Sequence, residues 1–267
     1  MENLFRKSLI ERKLTLGAWM QIGHPAIAEI YGRRGFDWVC VDLEHGLIDI
    51  ETMADIFRAL EKYKSIPVAR LPANNPVWIH RCLDAGAKGL IIPMVKTAEE
   101  AESAICEAKY PPRGIRGFGY SRANIHGIDF DRYVKTANDE TAMIMQIEHE
   151  DAIRNLGEIL CIDGVDGVFI GPLDLSGSMG IPGQMKHPDM LRALDTFRKL
   201  CREKNKSFGL HIIHPDKERI REAVDLGYTI IALGLDTVMI DESSKTLRNE
   251  AVRSYNAWKK CARKTHT

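Results

Sequence analysis

Short apolar, β-branched runs recur along the chain, separated by longer stretches whose apolar positions return every three or four residues. The first pattern predicts strands over 15–22, 37–43, 67–71, 89–94, 143–148, 167–171, 207–213 and 230–236. The second predicts helices over 50–62, 75–84, 98–109, 188–204 and 217–225. Asp49, Thr97 and Asp216 stand where N-caps belong, and Gly35, Gly86 and Gly227 stand where helices stop. The strands are near-continuously apolar, which means burial on both faces, as in a parallel sheet. Eight β-α repeats predict an α/β fold, a closed (β/α)8 TIM barrel. An open doubly wound sheet is the rival. It uses fewer strands, and no G-x-G-x-x-G turn follows the first one. No low-complexity linker interrupts residues 1–267, so one barrel domain is expected to span them.

Composition narrows the class. Among 267 residues, 37 basic and 37 acidic side chains cancel, which argues against nucleic-acid and membrane-surface binding. The basic tail 258–264 reads as a solvated helix end. Six cysteines, at 40, 82, 106, 161, 201 and 261, form no C-x-x-C pair and suggest a reducing compartment. The N-terminus has no apolar signal-like core, and no apolar run approaches the roughly 18–20 residues of a membrane span. A cytoplasmic protein is expected.

In such a barrel, catalytic groups gather at the C-terminal ends of the strands. The second strand ends in Val41-Asp42-Leu43-Glu44-His45-Gly46, three ionisable groups within four positions. The third ends at Arg70, the fifth in Gln146-Ile147-Glu148-His149 and the sixth in Gly171-Pro172-Leu173-Asp174. Glu148 and Asp174 come from neighbouring strands. Two hard carboxylates beside one amide suit Mg²⁺ or Mn²⁺, which take few protein ligands and leave positions for water and substrate. Read singly, Glu148 and Asp174 serve equally as helix caps, Arg70 as an ion-pair partner and His45 as a structural histidine. Convergence on one rim favours the functional reading. His211 and His214 have a spacing that points to opposite faces of a strand end, which disfavours zinc. Lys96 reads as a solvated loop residue rather than a Schiff-base lysine. The segment 110–124 is the longest insertion.

With these residues assembled, the chain resembles the class II pyruvate aldolases of the HpcH/HpaI family over nearly its whole length. The matching stretches are Gly35-Phe36-Asp37-Trp38, Asp42-Leu43-Glu44-His45, Pro67-Val68-Ala69-Arg70, Leu83-Asp84-Ala85-Gly86-Ala87 and Pro93-Met94-Val95. Further matches are Tyr110-Pro111-Pro112-Arg113-Gly114-Ile115-Arg116-Gly117, Gln146-Ile147-Glu148, and the run from Gly164 to Ser176. The resemblance implies a phosphoenolpyruvate/pyruvate-type barrel. It would reversibly cleave a 4-hydroxy-2-oxo acid to pyruvate and an aldehyde through a metal-stabilised pyruvate enolate. It implies Mg²⁺ or Mn²⁺, with Co²⁺ as a further option, held by Glu148 and Asp174. Gln146 and the backbone N–H groups of Leu173 and Asp174 would bind the 2-oxo acid. Arg70 would steady the enolate oxygen. His45 would be the base, with Asp84 of an adjacent subunit raising its basicity and Asp42 and Glu44 in support. A homohexamer or related homo-oligomer, with the C-terminal helix exchanged between subunits, is implied as well.

Retro-aldol chemistry requires such groups: a base near neutral pKa for the C4 hydroxyl and positive charge for the enolate. Two alternatives remain: an oxaloacetate decarboxylase or related synthase using the same enolate, and a non-catalytic barrel that binds a 2-oxo acid. Three departures stand out: Leu173, where many members carry a small residue; the histidine-rich end of strand seven; and Tyr120, Ser121 and Arg122 in the long insertion, candidates for choosing the aldehyde.

Overall fold

The structure is a computed structural model describing residues 3–264, with side chains through residue 260. Eight parallel strands close into a barrel in sequence order: β1 (Thr15–Met20), β2 (Trp38–Asp42), β3 (Ile66–Arg70), β4 (Gly89–Ile92), β5 (Ala142–Ile147), β6 (Gly167–Ile170), β7 (Ser207–Ile212) and β8 (Ile230–Leu233), with β8 returning to β1. Every predicted strand is present. Most end earlier than the sequence suggests, because the last apolar residues leave the ladder to form the rim. Gly234, with φ +73°, turns the chain out of β8, and Met94, with φ +54°, lies two residues past β4. The predicted caps are made: Asp49 accepts from the Thr52 N–H at 2.8 Å, Thr97 from Glu100 at 3.3 Å and Asp216 from Arg219 at 2.8 Å. Gly35 closes the helix Pro25–Arg34 in the left-handed region.

Alternation along the strands divides the core in two. Trp19, Trp38, Cys40, Val68, Ile144 and Phe169 point inward and fill the barrel. Val39, Val41, Ala69, Leu90, Met143 and Val168 point outward and pack under the helices. The interior has room for the Trp38 indole because β1 has a glycine opposite it: a Cβ on Gly17 would lie 2.2 Å from that ring. The helix Leu4–Ile10, which the sequence pattern did not predict, plugs the lower end of the barrel. Its two buried side chains, Phe5 and Leu9, are too few to register as a period, yet the Phe5 ring stacks on Trp38 at 5.3 Å. Asn3 ties its start to the carbonyls of Lys88 and Glu140, at 2.7 and 2.6 Å.

The segment 110–124 follows the helix Ala98–Ala108 and therefore also lies at the lower end. Its anchor is Arg116, 1% exposed, with its guanidinium 4.6 Å from the Tyr110 ring centre and 5.6 Å from that of Tyr133. Arg122 donates to the Ala85 carbonyl at 2.9 Å and pairs with Glu61. Within one chain these contacts hold Arg122 away from the rim, so its expected part in choosing the aldehyde is not met there. The cysteines at 40, 82, 106, 161 and 201 are free thiols, while the side chain of Cys261 lies outside the described residues. The helix Asp236–Lys264 carries the basic tail, whose residues 258–260 are exposed; side chains 261–264 also lie outside the described set. No described helix is long and apolar enough to cross a membrane.

Candidate active site

The inward rows that bury Trp38 and Cys40 continue upward into polar side chains. Asp42 and Arg70 are register partners on β2 and β3, so a period of two turns both into the barrel mouth. Gln146 and Glu148 extend the inward row of β5, Gly171 that of β6 and His211 that of β7. All of these but Glu148, which is bonded to Gln146, line a cleft of about 210 Å³, together with Trp19, Gln21, His45, Leu173, Asp174, Ile213 and Leu235.

Asp42, with no exposed surface, is the hub. It accepts two parallel bonds from Arg70, at 3.0 Å from Nε and 2.6 Å from Nη2. It also accepts from Gln21 Nε2 at 2.9 Å, Trp19 Nε1 at 3.2 Å, and the N–H groups of Glu44 and His45 at 3.1 Å each. Burial by itself would push the Asp42 carboxyl up; the bonds and charge of Arg70 outweigh it and hold the group down at about 2. Glu44 Oε2 lies 2.9 Å from Arg70 Nη1, and the guanidinium sits 5.0 Å from the Trp19 ring centre. Burial raises the Glu44 carboxyl, against the pull of Arg70. Arg70 is thus the ion-pair partner its sequence context suggested. It is also a locked cation at the cleft wall, with N–H groups on Nη1 and Nη2 to spare from its five donors.

Glu148, 2% exposed, backs Gln146 on the other side of the cleft. Its Oε1 accepts from the Met94 N–H at 2.7 Å, and its Oε2 is bonded by Gln146 Nε2. Met94 holds a positive φ, a costly conformation for this residue type that helps place its N–H at the carboxylate. Burial raises the Glu148 carboxyl, and the nearby charge of Asp174 adds to the rise. Glu148 is no helix cap, for His149 caps the helix Glu150–Arg154. Nor is Asp174, which stands in the first turn of the helix Pro172–Ser178 behind Gly171. The first backbone bond of that helix runs from Leu175 N–H to the Gly171 carbonyl at 3.0 Å, leaving the N–H groups of Leu173 and Asp174 as orphan donors at the cleft.

Two observations test this donor set against a divalent ion. Gln146 Oε1 is buried without a hydrogen-bond partner. A Cβ at Gly171 would lie 2.7 Å from Glu148 Oε2, so glycine keeps that oxygen open. A buried carboxylate, a second carboxylate and an unpaired amide oxygen fit a hard cation that keeps positions for water and ligand oxygens. Gly171→Ala is expected to displace the Glu148 carboxylate and lower kcat/KM by about 10²-fold, the scale of a 1 Å misplacement. Steady-state kinetics beside a melting curve checks this: the loss should come without a matching loss of fold.

His45 lies on the loop after β2, exposed at the cleft, with its backbone tied to Asp42. Asp84 is elsewhere. It ends the helix Pro76–Asp84 at the lower end of the barrel and accepts from Arg116 Nη2 at 2.7 Å. His211 and His214 take separate partners, the Gly234 carbonyl at 2.8 Å and Glu242 at 2.6 Å. Sequence reasoning missed Trp19 and Gln21, because β1 ends in an indole and an amide rather than ionisable groups. It noted Asp236 only as the end of the last strand. Asp236 is buried and accepts from the Gln21 and Ile22 N–H groups, fixing the β1 end against β8.

Known proteins resemble the chain over most of its length. A hydroxypyruvate/pyruvate aldolase of Roseobacter denitrificans is 38% identical over 246 residues, 92% of this chain and 95% of the relative. A 4-hydroxy-2-oxo-heptane-1,7-dioate aldolase of Escherichia coli is 36% identical over 248 residues, 92% of this chain and 94% of the relative. The crystal structure of an HpcH/HpaI aldolase/citrate lyase family protein from Burkholderia cenocepacia superposes with a TM-score of 0.89 at 30% identity, covering 93% of this chain and 99% of that one. The model of one family matches residues 15–242, the whole barrel from β1 into the last helix, and the chain belongs to that family, HpcH/HpaI aldolase/citrate lyase.

Proposed function

We propose that this carbon–carbon lyase reversibly cleaves a 4-hydroxy-2-oxo acid to pyruvate, or a close analogue, and an aldehyde, using Mg²⁺ or Mn²⁺ at Glu148 and Asp174. The observation that carries this reading is the facing of two prepared walls across one cleft. One wall is Gln146, its Oε1 unpartnered and its amide bonded to buried Glu148; the other is Arg70, clamped by Asp42. The aldolase names of the two relatives support the same substrate class. When bound, the ion would supply Lewis-acid polarisation of the 2-oxo acid.

The chain's own residues account for the rest. The N–H groups of Leu173 and Asp174 receive the substrate carboxylate, and Gln146 orients the 2-oxo group. Arg70, held rigid by Asp42 and Trp19, meets the negative charge that develops on the enolate oxygen without reorganising. His45 takes the C4 hydroxyl proton as the C–C bond breaks and returns it in condensation. The partner for His45 would come from a second copy: Asp84 faces away from its own cleft. The helix Asp236–Lys264 exposes Ile240, Leu247, Tyr255 and Trp258, an apolar series suited to exchange within a homo-oligomer such as a hexamer. His45→Ala is expected to lower retro-aldol kcat by about 10²–10⁴-fold, the usual worth of general acid–base catalysis. Turnover of 4-hydroxy-2-oxoheptanedioate followed by pyruvate release checks it, and retained turnover would remove His45 from the mechanism.

A further inference from the structure

The cleft contains a polar group that the proposed chemistry does not use. His211 lies in the inward row of β7, with its ring stacked on Trp19 at 4.7 Å and 19°. Its Nε2 is 2.8 Å from the Gly234 carbonyl. A carbonyl oxygen can only accept, so Nε2 carries the proton, and in the neutral ring Nδ1 is then a bare lone pair. Burial pushes the imidazole down to about 4, and the Arg70 charge opposes protonation further, so the ring is neutral at working pH. Nδ1 has no partner among the described residues and is not one of the sealed polar atoms of the chain. Ile213, Leu235 and Leu173 line the same cleft with apolar surface. Once a substrate covers this wall, an unpaired Nδ1 loses water and gains nothing unless the substrate brings a donor.

We propose that His211 is a specificity-determining residue whose Nδ1 accepts a hydrogen bond from a substrate hydroxyl beyond the 2-oxo acid chelate. The favoured reactants are accordingly hydroxylated: a 3-hydroxy-2-oxo acid, a 2-hydroxyaldehyde, or the adduct of either. This inference rests on the aldolase reading of the cleft. It has the asymmetry typical of such sites. A pocket built to hydrogen-bond a hydroxyl rejects the analogue that lacks it far more strongly than an apolar pocket rejects an added hydroxyl.

The test compares kcat/KM for three pairings: pyruvate with propionaldehyde, pyruvate with glyceraldehyde, and hydroxypyruvate with propionaldehyde. Each is run with the native protein, His211→Leu and His211→Gln. In His211→Leu, the ratio of hydroxylated to unhydroxylated kcat/KM is expected to fall by about 10–100-fold, a factor of one hydrogen bond to a buried acceptor. Glutamine, which keeps an acceptor oxygen, should recover part of that ratio. The glyceraldehyde and hydroxypyruvate arms show which reactant carries the hydroxyl. A purely structural role would lower all three pairings together, so an unchanged ratio in both arms overturns the proposal. Metal-dependent deuteration of the pyruvate methyl group, run on the same samples, separates the two failures. Deuteration with an unchanged ratio sinks only the role of His211, whereas no deuteration in the native protein sinks the aldolase reading and this inference with it.

Discussion

Arg70→Ala is expected to cost both catalysis and stability. Loss of one preorganised charge-stabilising donor lowers rates by about 10²–10³-fold. The side chain is 11% exposed and its partner Asp42 is fully buried. Removing one member of a buried pair strands the other charge, at a cost of about 3–5 kcal/mol. The pH dependence follows from Asp42. Its folded pKa, about 2, lies below its usual 3.8, so the group contributes stability that is fully present above 3.8 and lost as pH falls through 2. The stability gap between native and variant protein should therefore be widest near neutral pH and narrow in acid. Urea unfolding at several pH values measures it, and a gap that grows toward low pH would contradict the assignment. Arg70→Lys is not expected to rescue, because an ammonium group cannot span both Asp42 oxygens and face Glu44 together.

Glu148→Gln should separate function from fold more sharply. The amide oxygen can still accept from Met94, and the Gln146 amide can turn over so that its unpartnered Oε1 accepts from the new N–H, which keeps the local shape. The negative charge at the proposed ion site is lost. Because a Lewis acid supplies several kcal/mol to such a reaction, kcat/KM should fall at least about 10³-fold. Stability should move the other way or stay level. Burial raises the Glu148 carboxyl in the folded chain, so the ionised form is disfavoured there relative to the unfolded chain, and a neutral amide removes that penalty. Melting in EDTA together with Mn²⁺ titration checks both halves. A variant that loses activity and unfolds would mark Glu148 as structural.

The barrel was legible because burial on both faces leaves little choice of residue. Val39, Val41, Ile91 and Ile144 had to be apolar whichever way they pointed, and the strands announced themselves. The rim was legible where it is charged: Asp42, Arg70 and Glu148 interrupt apolar runs at a cost that demands a partner. Trp19 hid in the same rows, since an indole reads as ordinary core, and His211 was marked only as part of a histidine-rich strand end. Only their stacking and the bond to Gly234 show that they shape the cleft. The insertion 110–124 was legible as important but not as placed: it follows a helix rather than a strand, which sends it to the lower end. The helix Leu4–Ile10 escaped notice because two buried side chains make no period.

The most direct test of the account is deuterium exchange into pyruvate. The native protein would be incubated with pyruvate in D₂O, with Mg²⁺ or Mn²⁺ and then with excess EDTA, and the methyl signal followed by proton NMR after chelating any Mn²⁺. The account predicts loss of the methyl signal with the ion, none with EDTA, and none in Glu148→Gln under either condition. Undiminished signal with every ion would contradict enolate chemistry at this rim, and exchange that persists in Glu148→Gln would move it away from Glu148.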